Sequence, residues 1–409
     1  MLHWRLLASA LFHAAVGCSA YYHMSPLNNI QGEIEKFSNL SIYRHYGIIL
    51  GPAGMAWLWA SIAASVDIGA VCGAFVLKYP LERWGRRNTI MILKNVIQIV
   101  GSLLQFVAKP ACSFELLLFG RLVAGVAIGM AMCIPVFLTE CAPVKYRGFV
   151  ATISYLGTPF WTIVGSVVGM PQIMGRPDIW HYVLLVAVVP AIIHAILTPY
   201  LAESPKFLHI TRRNRLESVK SLMFYHGPMV DVEKAVAEFE REAEMAQTMV
   251  QQSAGLKEIL TTRHFLWPFI LCVTVNVAQD FGGTDLAFQY SSGFMQLLGI
   301  SKDMSAVFTV AVTQIPGLFI CLLGLFLVER SGIASFVFLY LYLPETKNKA
   351  VDEVVQRWAM NALLQCPTAK LLESSANISA VMLASQAHME EQDRKQGLTA
   401  IAEHGLMKK

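Results

Sequence analysis

A chain of 409 residues that is 55% hydrophobic and 15% charged, with mean hydropathy +0.50, is too apolar for a soluble globular protein of this size. Its net charge of +4 is ordinary for a membrane protein with basic inner loops and gives no reason to expect a nucleic-acid partner. The eight cysteines lie mostly inside apolar runs and form no CxxC pair, so they are packing residues, and neither a metal site nor a disulfide framework is indicated.

Apolar runs of spanning length fall at roughly 6–22, 56–79, 89–108, 114–137, 149–170, 180–200, 265–290 and 305–328. The first run has Arg5 before it and Gly17-Cys18-Ser19-Ala20 after it, as a signal peptide would. Cleavage there would leave an odd number of spans in the first half, so the run is taken as a helix. A ninth run, Ile333 to Leu343, falls short of the ~17–25 residues a spanning helix requires and is taken as a stub.

Basic residues choose the orientation. Arg83, Arg86 and Arg87 follow the second span, Lys145 and Arg147 the fourth, and Arg212, Arg213 and Arg215 the sixth. The positive-inside rule then puts the N-terminus, the segment 201–263 and the tail in the cytosol. The sequon Asn39-Leu40-Ser41 falls in the first outside loop, where it can be glycosylated. Apolar residues at helical spacing among the charges of 201–263 predict short amphipathic helices. The expected organisation is an all-α membrane protein: a six-helix bundle over 1–200, a linker over 201–263, a second bundle over 264–347 and a tail over 348–409.

Gly85-Arg86-Arg87 sits on the inner turn between the second and third spans, where arginines can pair with acids at other helix ends. Glu140 ends the fourth span, Glu203 ends the sixth, and Arg147 opens the fifth on the same side. Alone, the arginines would be anchors placed by topology. Together, the four elements describe a cytosolic gate whose pairs hold in one state and break in another. Arg121 falls near the outer end of the fourth span, outside that cluster.

Two strings recur. Leu81-Glu82-Arg83-Trp84-Gly85 returns as Val328-Glu329-Arg330-Ser331-Gly332, offset by 247 residues. Glu203-Ser204-Pro205-Lys206 has a cousin in Glu345-Thr346-Lys347, offset by 142. Two copies of one membrane module would share one offset. The difference of 105 residues predicts three to four missing helices in the second copy, at ~20 residues per span.

A site for a small polar solute needs donors and acceptors converging at mid-membrane, with an aromatic face beside them. Gln279, Asp280, Asp285 and Tyr290 on the seventh span, with Tyr155 and Trp161 on the fifth, meet that need. Helix-packing glue is the competing account of the same residues. Asp67 and Lys94 are further costly charges inside spans, expected either to pair or, for Lys94, to snorkel to the inner edge.

Taken jointly, these motifs resemble the sugar porter family of the major facilitator superfamily, close to the animal facilitative glucose transporters. Glu82 to Arg87 resembles the family's R-x-G-R-R loop; Gly120-Arg121 through Pro135, Glu140 and Arg147-Gly148 resembles its G-R … P … E … R-G stretch. Ala202 to Lys206 and Pro344 to Lys347 resemble P-E-S-P-R and P-E-T-K-G, and Gln279 to Ser291 resembles the seventh-helix Q-Q-L-S-G-I-N … Y-Y-S. The resemblance implies a facilitative hexose transporter working by alternating access at the plasma membrane, with a sugar and the bilayer as partners and no cofactor. Against the family pattern, Asp280 and Asp285 replace a Gln and an Asn, Tyr155 replaces a Gln, and His23 stands where uniporters have Asn and proton symporters Asp. Family helices nine to eleven and most of twelve have no counterpart, so a truncated, non-transporting isoform is the alternative. Homo-oligomerisation would cover the exposed faces only where two copies fit. No nucleophile–base pair suggests an enzyme.

Overall fold

The computed structural model describes residues 3–251, 266–274 except 268 and 272, and 301–322 except 320. Gln279, Asp280, Asp285, Tyr290, Glu329, Arg330, Glu345 and the stub 333–343 lie outside the described residues. So do the tail and most of the seventh span.

Every regular element among the described residues is helical. Helix α1 (Trp4–Ala15) runs through a tight 3-10 segment, Gly17–Met24, into α2 (Pro26–Tyr46). Pro26 lacks an N–H and presets φ, so it suits the first turn of a restarted helix. Gly47, at φ 67, ends α2 in the left-handed conformation that favours glycine. Helical structure thus continues far beyond the apolar run 6–22. The sequon is consequently on a helix, not in a loop, and Asn39 Oδ1 accepts from the N–H of Leu50 at 3.3 Å.

Among the described residues, four helices are long and apolar enough to cross a membrane: α3 (Pro52–Val76), α5 (Arg86–Ala108), α6 (Phe114–Cys141) and α7 (Val144–Val168). Between α3 and α5 lies α4 (Lys78–Trp84), and the shorter apolar α8 (Trp180–Ile196) follows α7. Ser113 caps α6, its Oγ accepting from the N–H of Leu116 at 3.2 Å. Three short polar helices follow, α9 (Pro205–Ile210), α10 (Arg215–His226) and α11 (Val232–Gln251), and then apolar α12 (Met304–Phe319). By compactness the chain forms two units: Met1–Ser253 with Cys272–Val337, and Ala254–Leu271 with Phe338–Lys409. In the first unit, Gln314 Nε2 of α12 donates to Ser166 Oγ of α7 at 2.5 Å.

Helices α3 and α6 meet on glycine. A β-carbon at Gly125 would lie 2.1 Å from the carbonyl oxygen of Val66, and one at Gly69 equally close to that of Leu122. In lipid no hydrophobic force drives helices together, so close van der Waals approach through small residues does that work. Arg121 fills the space beside this seam, donating to the carbonyls of Ile62 (2.7 Å), Ala63 (3.4 Å) and His23 (3.4 Å).

Helix α5 is polar inward and apolar outward. Lys94, Asn95, Gln98, Ser102 and Gln105 are buried, whereas Ile92, Val96, Val100, Leu103 and Val107 are exposed. Lys94 neither pairs with Asp67 nor reaches the inner edge; its Nζ donates to the Gly17 carbonyl at 2.7 Å and to Gln98 Oε1 at 3.3 Å. The break between α1 and the 3-10 segment presents a carbonyl there that a continuous helix would have used.

Gly125→Val is expected to destabilise the bundle by about 1–3 kcal/mol, the range for overpacking a filled interface. Gly32→Ala, where a β-carbon meets nothing within 4 Å, is the control. Thermal unfolding of the two variants in detergent measures the difference; equal melting temperatures contradict the glycine seam.

Candidate functional site: the basic end of the bundle

The turn between α4 and α5 places Gly85 against the start of α9. Gly85 has φ 93, and a β-carbon there would meet Glu203 Oε2 at 2.3 Å and Phe207 at 2.9 Å. Glycine is required twice over, by backbone conformation and by space. With that approach secured, Glu203 Oε1 accepts from the backbone N–H groups of Arg87 and Ser204, both at 2.9 Å.

Arg86 makes a two-pronged pair with Glu140, Nε to Oε2 at 3.1 Å and Nη2 to Oε1 at 3.3 Å. Its guanidinium also lies 4.7 Å from the centre of the Phe207 ring. Ser204 joins the two carboxylates: its Oγ donates to Glu140 Oε2 at 2.5 Å, while its backbone donates to Glu203. Arg87 turns its side chain to the carbonyl of Leu201 at 2.8 Å, so its tie to Glu203 is through its backbone. Arg83 donates to the Tyr79 hydroxyl at 2.5 Å on the exposed side of α4, apart from this cluster.

Arg147 belongs to a second network, not to this one. Its Nη1 donates to Glu242 Oε1 at 2.8 Å and its Nη2 lies 3.7 Å from Glu238. Lys206 holds the other Glu242 oxygen. Glu238 and Glu242 are one turn apart, so α11 presents both acids to the start of α7. The five residues expected together thus divide their side-chain bonds between two adjoining networks, since Arg147 Nε also donates to the Ala142 carbonyl, two residues past Glu140, at 3.4 Å. Phe207, Glu238 and Glu242 were not singled out from sequence, and Ser204 and Lys206 entered only as members of the recurring string. The one available signal was the i, i+4 spacing of the two acids on an amphipathic helix.

The two networks respond to pH with opposite sign. Burial pushes the Glu203 carboxyl above its ordinary 4.5, only partly offset by the Arg87 and Ser204 N–H groups and by the charges of Arg87 and Arg86. Burial also pushes Glu242 upward, but the hydrogen bonds and charges of Lys206 and Arg147 together override it and hold the carboxyl below 4.5. A depressed carboxyl stabilises the folded arrangement fully above its ordinary value and loses that contribution as pH falls through the lower one.

Of the expected substrate residues, two lie among the described ones. Tyr155 ends the first part of α7 and is 59% exposed; Trp161 is 8% exposed and packs edge-on to Tyr22 and Phe160. The described residues do not bring them to one surface. The Trp161 indole N–H has no hydrogen-bond partner among the described residues. His23 is buried, its Nε2 3.1 Å from Ser102 Oγ. No group of three or more His, Cys, Asp or Glu able to hold a metal occurs among the described residues.

Docking of α11 is expected to weaken below pH 4.5, the ordinary carboxylate value from which Glu242 is depressed. Hydrogen exchange across 232–244, corrected for intrinsic rates, should rise as pH drops. Glu242→Gln should raise it about five-fold at pH 7 and flatten the pH dependence. Unchanged protection in the variant contradicts the assignment.

Comparison with known proteins follows the same lines. A family model described as "Sugar (and other) transporter" matches residues 10–333. The chain is 28% identical to facilitated glucose transporter member 3 of Gallus gallus over 329 residues, covering 80% of this chain and 65% of that protein. To member 1 of the same species it is 28% identical over 312 residues, covering 76% and 62%. It therefore spans less than two thirds of these curated relatives' length. Among solved structures, a major facilitator superfamily proton:xylose symporter, XylE bound to 6-bromo-6-deoxy-D-glucose, superposes with TM-score 0.67 at 17% identity, covering 81% of this chain and 70% of that one. Partially occluded, inward-open XylE from E. coli gives 0.61, also at 17% identity, covering 78% and 73%. The match over residues 10–333 makes this chain a member of the sugar (and other) transporter family, and its helices share the fold of those solved transporters.

Proposed function

We propose that the chain carries a hexose-like sugar across the membrane by alternating access, without a cofactor. The observation that supports this most directly is the junction of three helix ends through Arg86–Glu140, Ser204 and Glu203, because its bonds close one side of a bundle and can be exchanged when the bundle moves. In this reading Arg86, Arg87, Glu140 and Glu203 form the cytosolic gate, with Glu329, Arg330 and Glu345 as counterparts in the second bundle. Arg147 tethers the gate to the linker, Arg83 lies at its rim, and Arg121 braces the outer side. Gln279, Asp280, Asp285 and Tyr290 contact the sugar from the seventh span, with Tyr155 and Trp161 from the fifth. The N-terminus and tail face the cytosol, Asn39 faces outside, and the protein resides in the plasma membrane.

A second reading has its own observation. The unequal motif offsets, 247 and 142 residues, leave the second bundle short of about three to four spans. Rocking one bundle against another requires both, and unsatisfied polar groups facing hydrocarbon cost several kcal/mol each. In that reading the 409-residue chain is a non-transporting, regulatory or inactive form.

Reconstitution separates the two. Saturable uptake of labelled glucose, cut at least about five-fold by Gln279→Ala, is the outcome for a working transporter. Background uptake that rises in a chimera with a relative's helices nine to twelve inserted after Gly332 supports the truncated form. Because no carboxylate occupies position 23, sugar addition is expected to cause no alkalinisation outside the vesicles, and His23→Asn should leave uptake intact. A sugar-induced pH rise contradicts uniport, since an imidazole titrating near pH ~6.5 can carry a proton.

A further inference from the structure

Two cavities of about 430 and 450 Å³ adjoin at the basic end of α5, sharing Trp84, Asn88 and Arg212 as walls. Their linings differ in kind. The first is mixed: Arg87, Arg212 and Lys220 stand with Glu203 and Glu217 among apolar walls that include Phe207, Leu208 and Phe224. The second is apolar, walled by Ile92, Leu93 and Val96 of α5. Beyond it the outward ridge of α5 continues through Val100, Leu103 and Val107, all exposed. From Ile92 to Val107 that ridge runs about 22 Å at ~1.5 Å per residue, more than the ~15 Å that one leaflet contributes to a ~30 Å core.

The charge in the first cavity is in surplus. Among the described residues, no carboxylate lies within ion-pair distance of the Arg87, Arg212 or Arg83 side chains. Arg212 donates only to the carbonyl of Arg83 at 2.6 Å and stands 5.6 Å from the centre of the Phe207 ring. Lys220 is offset by Glu217 at 3.0 Å, an exposed pair that competes weakly with a bound anion. Glu203, the other acid in the lining, is turned to the N–H groups of Arg87 and Ser204, and its burial disfavours the charged form.

We propose that this paired cavity is a binding site for one anionic phospholipid, its phosphate headgroup against Arg212, Arg87 and Lys220 and one acyl chain along Ile92, Val96 and Val100. A soluble phosphate would satisfy only the basic cavity and leave the apolar groove wet. A zwitterionic lipid would fill the groove but bring its own cation to a basic pocket. The exposed Trp84 sits between the two cavities, at the level where amphipathic rings favour the membrane interface. The proposal does not depend on transport.

The test uses the purified full chain in detergent, titrated with phosphatidylglycerol, phosphatidylcholine or inorganic phosphate and read by native mass spectrometry. One phosphatidylglycerol should be retained in preference to phosphatidylcholine. Arg212→Gln should weaken retention about five-fold, the effect of one basic charge at a membrane surface, and Arg212→Lys should restore it. Val96→Trp should fill the groove and displace the lipid without altering the melting temperature, since Val96 is on the exposed face. Equal retention of phosphatidylcholine, or full retention by Arg212→Gln, overturns the proposal. Displacement by inorganic phosphate together with insensitivity to Val96→Trp also overturns it, in favour of a soluble anion.

Discussion

The contact on which the basic end of the bundle depends is the approach of Glu203 to Gly85. A side chain at Gly85 would occupy the place of the Glu203 carboxylate, and without that carboxylate the N–H groups at the start of α5 and α9 would lose their shared acceptor. Everything at the basic end is arranged around this contact. It fixes the start of α5, which aims Arg86 at Glu140 and Arg87 at the Leu201 carbonyl. It also fixes Ser204, which caps α9 through its Oγ and bonds Glu140 with the same atom. One glycine thus sets the relation of α5, α6 and the start of α9.

Away from that end the bundle follows the rules of a medium that supplies no hydrogen bonds. Helices α3 and α6 approach through glycine. The buried face of α5 is polar: its Lys94 ammonium finds the Gly17 carbonyl where the first helix breaks, and its Gln98 amide finds the Ala187 carbonyl of α8. Arg121 and Lys94 are expensive charges in such a place, and both are satisfied mainly by backbone carbonyls. Carbonyl oxygens left by a 3-10 segment or a helix bend are the inexpensive acceptors in a membrane interior, because no second charge has to be desolvated with them.

The linker is more than a tether. Ser218 and Tyr225 of α10 donate to the carbonyls of Pro205 and Ala202, and α11 clasps Arg147 and Lys206 through Glu242. Any movement that opens the Arg86–Glu140 pair therefore works against a second network anchored on a neighbouring helix. That arrangement suits a structure with two discrete states, because neither network can slacken gradually without leaving a partly buried charge unpaired.

The sequence by itself determined the class and the family, and it placed some of the spans that fall among the described residues. Hydropathy is additive along the chain, so the runs 89–108 and 114–137 predicted α5 and α6 closely, and Arg86, Arg87, Glu140 and Glu203 met because all are placed at helix ends on one side. Partner choice was not legible in this way. Arg147 looked equivalent to Arg86, yet it pairs with α11, since which acid lies within reach depends on how the linker folds back. Lys94 found Gly17 instead of Asp67 because a break in the first helix, invisible in an apolar run, freed a carbonyl. The sequon at Asn39 was placed in a loop because polar residues look like loop; burial of Asn28, Asn29 and Glu33 against neighbouring helices is what keeps α2 helical there. Spans are written in local composition, while pairings are decided by distances between segments far apart in the chain, and only the tertiary structure fixes those.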